Sequence, residues 1–130
     1  MFIRYISKIH MQPHSRSESM KVVALQNTQQ EKDECCAKTK IRRLITEEIG
    51  AQNTSRLFEM DSGGYSPLHK HAREHIIFVL QGEGLVFNGE KTQNIKTGDS
   101  VFIAPNELHQ FLNKSKKTLT FLCIETSNLG

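Results

Sequence analysis

The stretch His69-Lys70-His71-Ala72-Arg73-Glu74-His75 (HKHAREH), running on into Ile76-Ile77-Phe78-Val79-Leu80-Gln81-Gly82, joins a histidine cluster to an apolar strand. On an extended chain, side chains alternate between two faces, so His69, His71 and His75 point one way and Glu74 the other. A fourth histidine, His109, follows in Pro105-Asn106-Glu107-Leu108-His109, while His10 and His14 lie apart in a polar N-terminal stretch. A lone histidine is more often a surface group or a satisfied core group than a ligand. A parity-matched trio joined by a fourth from a distant strand is what a metal cage requires. Neutral imidazoles each offer one nitrogen lone pair without adding charge, which suits Zn, Cu, Fe, Ni and, less strongly, Mn. His69, His71, His75 and His109 are therefore expected to ligate a metal.

Outward from this stretch the sequence is short apolar runs separated by turn residues, an all-β pattern. Strands are expected at 41–45, 54–60, 75–81, 84–88, 92–96, 100–104, 109–113 and 118–125. Breaks are expected at 61–64, 81–84, 97–99, 104–106 and 113–115, with a tight hairpin at Asn88-Gly89. Residues 46–53 have room for one helical turn. The run from His75 to Leu80 is apolar on both faces; a barrel strand buries only one, so the outer face calls for a cover, and a homodimer supplies it.

At 130 residues with 37% hydrophobic composition, one domain fits. The formal charge of +3 sits entirely in residues 1–30, where Arg4, Lys8, Arg16 and Lys21 face Glu18. The remainder is neutral, without the dense basic face a nucleic-acid binder needs, and no apolar run is long enough to cross a bilayer. Neither nucleic acid nor membrane is an expected partner. Three cysteines, the adjacent Cys35 and Cys36 and the separate Cys123, make no disulfide framework and suit a reduced, cytoplasmic protein. Residues 1–40 are expected to be a flexible, poorly ordered extension ahead of a domain at 41–130. The first twenty residues fit a transit peptide, a translated stretch ahead of a start at Met20, or a frayed terminus, and sequence alone does not separate these.

The spacing resembles the two motifs of the cupins, small jelly-roll barrels also described as double-stranded β-helices. Gly63, His69, His71, position 75 and Gly82 match the intervals of the first motif, and Gly98, His109 and Asn113 those of the second. Two departures stand out. Position 75 is His where most of the family has Glu, and the second motif has its proline one place late, at Pro105, with Glu107 in place of a glycine. The chain is most similar to small single-domain cupins of the cupin 2 type with an all-histidine cage, which implies Mn2+ or Fe2+, with Zn2+, Ni2+ or Cu2+ as alternatives. Without a carboxylate among its ligands, such a site is one unit more positive and favours anionic or enolate-like substrates.

Strand parity adds five candidates for the pocket wall. Phe111 and Asn113 follow His109 inward; Phe121 and Cys123 share a face on the last strand; and Arg56, beside Phe58 and Met60 in parity, is placed to bind an anion if its face is inward. The aromatics and Cys123 also have an ordinary reading as core. No general acid or base stands out, since Glu74, Glu83 and Glu107 read as rim or turn residues, so the chemistry is expected to rest on the metal. The expected function is a metal-dependent enzyme of dioxygenase type acting on a small organic substrate, with isomerase or lyase action behind it. The alternative is a non-catalytic small-molecule binding or sensing module.

Overall fold

Along β4 (His75–Gln81), His75, Ile77 and Val79 are buried while Ile76, Phe78 and Leu80 stay exposed, the two-residue period of a strand with one face on a core. The computed structural model describes residues 20–126 and is built almost wholly of such strands. They are β1 (Glu31–Lys32), β2 (Ala37–Ile45), β3 (Thr54–Tyr65), β4, β5 (Glu83–Phe87), β6 (Thr92–Lys96), β7 (Ser100–Ile103), β8 (Gln110–Leu112) and β9 (Leu119–Glu125), with 3-10 turns at Leu25–Asn27 and Glu47–Ile49. All pairings are antiparallel, in the order β6-β5-β8-β3-β9-β4-β7, with β2 on β3 and β1 on β2. The long β3 pairs with β9 through Thr54–Met60 and with β8 at Tyr65, so one strand serves both halves of a sheet that curls around a single core. Inside lie Ile41, Phe58, Met60, Ile77, Val79, Ile95, Ile103, Phe111, Leu119, Phe121 and Cys123.

The all-β expectation holds, with local corrections. β2 begins at Ala37 and a short strand precedes it, so residues 31–32 and 37–40, expected to be linker, are in the sheet. The first nineteen residues lie outside those described. The break expected at 61–64 is instead strand: β3 runs through it, and the register against β2 shifts between Thr39↔Met60 and Ala37↔Tyr65. Asn88-Gly89 does not form a two-residue primed turn. Only Gly89 has a positive φ, and Asn88 accepts the Glu90 and Lys91 N–H groups through Oδ1 to close a longer loop. In the second motif the left-handed residue is Asn106 (φ 63°), one place before Glu107, and asparagine is among the few side chains that tolerate that conformation. Asn113 is buried but does not face the pocket. Its amide donates to Met60 O and Lys117 O and accepts from Ser115, which fixes the loop ahead of β9. No helix among the described residues is long and apolar enough to cross a membrane.

The glycine that closes the first motif has a steric reason. Gly82 has φ +93°, and a Cβ there would stand 2.5 Å from Thr118 O, backbone that cannot step aside. Gly98 has a similar φ of +94° but open space around it. Gly82→Ala is expected to lower unfolding stability by about 3 kcal/mol and Gly98→Ala by only about 1 kcal/mol in urea titrations, since the second carries backbone strain alone.

Candidate metal centre

His69 and His109 lie forty positions apart and meet through a two-residue antiparallel bridge. His69 N–H donates to His109 O at 3.1 Å and His109 N–H to His69 O at 3.0 Å. His71 follows in the connection to β4, where His71 O accepts the N–H of Asn106 at 2.7 Å. His69 and His71 are therefore held by loop-to-loop hydrogen bonds rather than by the strand that parity assumed. Their rings form a nearly equilateral triangle with His109: centroids are 5.0 Å apart for His69–His71, 5.1 Å for His69–His109 and 4.9 Å for His71–His109. One ligand-capable atom from each lies within 4.8 Å of the others.

The donor set fits a metal ion. His109 Nδ1 is 2.8 Å from Glu107 O and His71 Nδ1 is 3.4 Å from Arg73 O. A carbonyl only accepts, so Nδ1 carries the proton in both, and the Nε2 lone pair is left for a ligand bond. Burial pushes the pKa of both rings below the ordinary histidine value. The neighbouring His75 and His109 add to this for His71, as do His69 and His75 for His109, which keeps both rings in the neutral form a metal needs.

His75 is where the structure departs from the expected four-histidine cage. Its ring stacks on His71 at 4.2 Å and lies 5.8 Å from His109, so it belongs to the same cavity wall. Both its nitrogens are engaged elsewhere: Nε2 is 3.1 Å from Glu125 Oε2, and Nδ1 is 3.6 Å from Cys123 Sγ. Burial opposes the charge on this ring, but the hydrogen bonds to Cys123 and Glu125 outweigh it and push the His75 pKa up to about 9. The hydrogen bond from His75 holds the Glu125 carboxyl down at about 2 against the cost of burial, with Arg56 and Arg73 assisting. The cause of this reassignment is register: β9 pairs His75 directly with Glu125. The site is therefore not free of carboxylate. Position 75 has exchanged Glu for His, and a glutamate from the neighbouring strand stands opposite it.

A cavity of about 460 Å³ opens onto these rings. Arg56, Phe111, Phe121 and Cys123 line it, whereas Asn113, also expected inward, does not. Phe111 stacks on Phe121 at 5.2 Å, Phe121 stacks on Phe58 at 5.2 Å, and the Arg56 guanidinium lies over Phe58 at 5.2 Å from its centroid. Arg56 is inward, with Nη2 3.7 Å from Glu125 Oε1 and 4.0 Å from Cys123 Sγ; its Nε is buried without a hydrogen-bond partner. Glu74 is not among the lining residues, in keeping with its parity.

Two features escaped the sequence reading. Glu125 shares the inward parity of Phe121 and Cys123, a signal that was available. Residues 31–36 form part of the cavity mouth, for which the sequence carries no comparable signal. There Asp33 Oδ1 accepts the N–H groups of Cys35 and Cys36, and burial followed by Asp33 raises the Cys36 pKa to about 12, so this thiol is not a ready thiolate.

Comparison with known proteins agrees with this geometry. The family described as "Cupin domain" matches residues 56–125. The chain is 30% identical over 83 residues to a 1-methylthio-D-xylulose 5-phosphate methylsulfurylase of Rhodospirillum rubrum, a match covering 64% of this chain and 53% of that protein. It is 36% identical over 76 residues to an oxalate-binding protein of Thermotoga maritima, covering 55% and 63% respectively. The chain thus matches 53% and 63% of these two relatives' lengths, less than two thirds of either. Among solved structures, the polyketide cyclase RemF of Streptomyces resistomycificus superposes with a TM-score of 0.76 at 28% identity, covering 85% of this chain and 81% of that one.

Two outcomes follow from this arrangement. Metal analysis should find about one divalent ion per chain, lost in His71→Ala and in His109→Ala, whereas His75→Ala should retain it with affinity lowered no more than about 10- to 100-fold. In the metal-free protein, the His75–Glu125 pair contributes most between pH 4.5 and 6.5, where both groups are charged even when unfolded. Its contribution falls as pH drops toward about 2 through Glu125, and as pH rises toward about 9 through His75. Glu125→Gln should cost about 1–2 kcal/mol in that window by urea titration, and the difference from the parent should shrink above pH 9.

Proposed function

The chain belongs to the cupin family, and we propose that it is a metal-dependent enzyme whose three-histidine centre acts on a small anionic, oxygen-rich molecule. Oxygen-dependent carbon–carbon cleavage is the leading chemistry, with isomerisation or lyase action as lesser forms of the same reading. The observation that carries it is the joining of a histidine triangle to a cavity with one wall of stacked aromatics and another that presents Arg56. His69, His71 and His109 would hold Mn2+ or Fe2+, leaving up to three coordination positions for a substrate's oxygens and a co-reactant. The ion would supply Lewis acidity and a one-electron couple.

The chain's own residues do the rest. Phe58, Phe111 and Phe121 form a dry floor that excludes water from the reacting end of the substrate and strengthens every charge interaction above it. Arg56 is only partly exposed, is pinned over Phe58, and would orient a carboxylate, phosphate or enolate oxygen toward the histidines. Glu31, Asp33 and Glu34 at the mouth oppose anion entry, but Glu31 and Glu34 are exposed and screened by salt beyond about 8 Å, and Asp33 is engaged by the Cys35 and Cys36 N–H groups, whereas Arg56 acts at close range in lower dielectric. His75 keeps a proton beside the cavity under the control of Glu125. The names of two relatives, one for an oxalate-binding protein and one for an enzyme of a sugar phosphate, support a small oxygen-rich anion as the guest. The free cysteines among the described residues fit a reducing cytoplasm.

A binding protein without turnover is the second reading, and the 36% identity to an oxalate-binding protein favours it. Oxygen uptake and product analysis across diketones, catechols, dicarboxylates and sugar phosphates separate the two. Turnover that depends on the loaded ion supports the enzyme; tight binding with ligand recovered unchanged supports the module. In either case Arg56→Leu should weaken the anion by about 10- to 100-fold, as a rise in KM or Kd, with metal content unchanged. Unaltered affinity in that variant would remove Arg56 from the account.

A further inference from the structure

A second cavity, of about 330 Å³, adjoins the first where β2 ends, β3 begins and β9 stops, and the two share Arg43, Arg56 and Glu125 as walls. Three arginines converge there. Ile41 points into the core, so Arg43 falls on the same side two positions later, and the β2–β3 register sets it directly opposite Arg56. Arg73 enters from the connection between His71 and β4 and lines the second cavity alone.

The protein's own acids leave these cations unevenly served. Glu125 Oε1 is shared between Arg56 at 3.7 Å and Arg73 at 3.3 Å, while Oε2 is taken by His75. The Arg43 guanidinium has neither ion pair nor hydrogen bond among the described residues, and the Nε of Arg56 is buried without a partner. Glu47 and Glu48 also line the cavity, but both are exposed on the 3-10 turn and neither pairs with an arginine. Like charges directly opposite on one face of an antiparallel pair repel, with Cβ atoms only about 5 Å apart. Stability therefore gives no reason for Arg43 to face Arg56. An oxyanion between them would turn the repulsion into charge-assisted hydrogen bonds.

From this we propose that Arg43, Arg56 and Arg73 form a phosphate subsite, and that the guest of the histidine centre is a short hydroxylated carboxylate or ketone carrying a phosphate monoester at its far end. The number of arginines selects phosphate over a second carboxylate. Three guanidinium forks can each take oxygens of a tetrahedral dianion from a different side, whereas the two coplanar oxygens of a carboxylate are filled by two forks. Glu125 opposes the dianion, but its charge is already divided among His75, Arg56 and Arg73. Reach fits a short guest: His71 stacks on His75, His75 bonds Glu125, and Glu125 meets Arg56 and Arg73, so three side-chain contacts separate the triangle from the subsite. The subsite stands on its own geometry; only the guest's oxygen-rich end rests on the reading of the histidine centre.

Isothermal titration of the full chain with inorganic phosphate, glycerate and 3-phosphoglycerate, with the metal loaded and removed, tests the two ends separately. Inorganic phosphate is expected to bind the metal-free protein, and Arg43→Gln or Arg73→Gln to weaken it by about tenfold or more. Arg43 is exposed and Arg73 half-buried, so neither change opens the core. In the metal-loaded protein 3-phosphoglycerate should bind about tenfold or more tighter than glycerate, which differs from it only by the phosphate. Arg43→Gln should erase that advantage and leave glycerate affinity and metal content unchanged. Phosphate that does not bind, or binds both variants as well as the parent, would overturn the subsite even if glycerate binds the loaded metal. Equal affinity for 3-phosphoglycerate and glycerate would overturn the two-ended guest. Phosphate binding that both variants lose, beside glycerate binding that ignores the metal, would uphold the subsite and remove the reading of the histidine centre instead.

Discussion

Pairing of β9 with β3 on one side and β4 on the other is the constraint on which the rest of this molecule depends. Seven consecutive residues of β9 are in register with Thr54–Met60, and the same strand meets β4 from His75 to Gln81. That double pairing lines up Arg56, Cys123 and Ile77 across three strands, and Thr54, Glu125 and His75 across the same three. A one-residue slip of β9 would turn Phe121, Cys123 and Glu125 outward together, emptying the aromatic floor and leaving His75 without its partner. The core and the site wall are thus fixed by one register. The small bridge between His69 and His109 then completes the site on the other side of the cavity.

The electrostatic character of the cavity follows from this arrangement. An all-imidazole cage would be free of carboxylate, but Glu125 takes the hydrogen bond of His75 and answers to Arg56 and Arg73 as well, at 3.7 and 3.3 Å. The negative charge is moved one residue away from the ligand positions rather than lost. The three imidazoles that face each other keep lone pairs available, while the fourth is hydrogen-bonded to Glu125, which helps push its pKa up to about 9. A metal at the triangle would thus be held by residues other than the one that carries the His75–Glu125 proton.

Much of the fold was legible in the sequence because most strands alternate apolar and polar residues under a buried face. Where reading failed, the physical cause is specific. Ala37–Lys40 looked like linker because its buried residue is Thr39, whose hydroxyl is satisfied by Ala37 O, so no apolar residue marks the inward position. Asp61–Gly64 looked like a turn because glycines favour turns, yet here they let β3 continue through a register shift. At the site, parity put His75 on the correct face but could not say which of its neighbours would take its nitrogens, since that partner lies fifty positions away. Glu125 could have been found by extending the parity of Phe121 and Cys123 two residues further.

The central claim is that three imidazoles, not four, hold the ion. X-ray absorption of the protein, purified without a metal column and still carrying its native ion, measures this directly. The account predicts a first shell with three imidazoles at about 2.0–2.2 Å and the remaining positions filled by oxygen. A shell requiring four imidazoles, or one containing sulfur from Cys123 or Cys36, would contradict it.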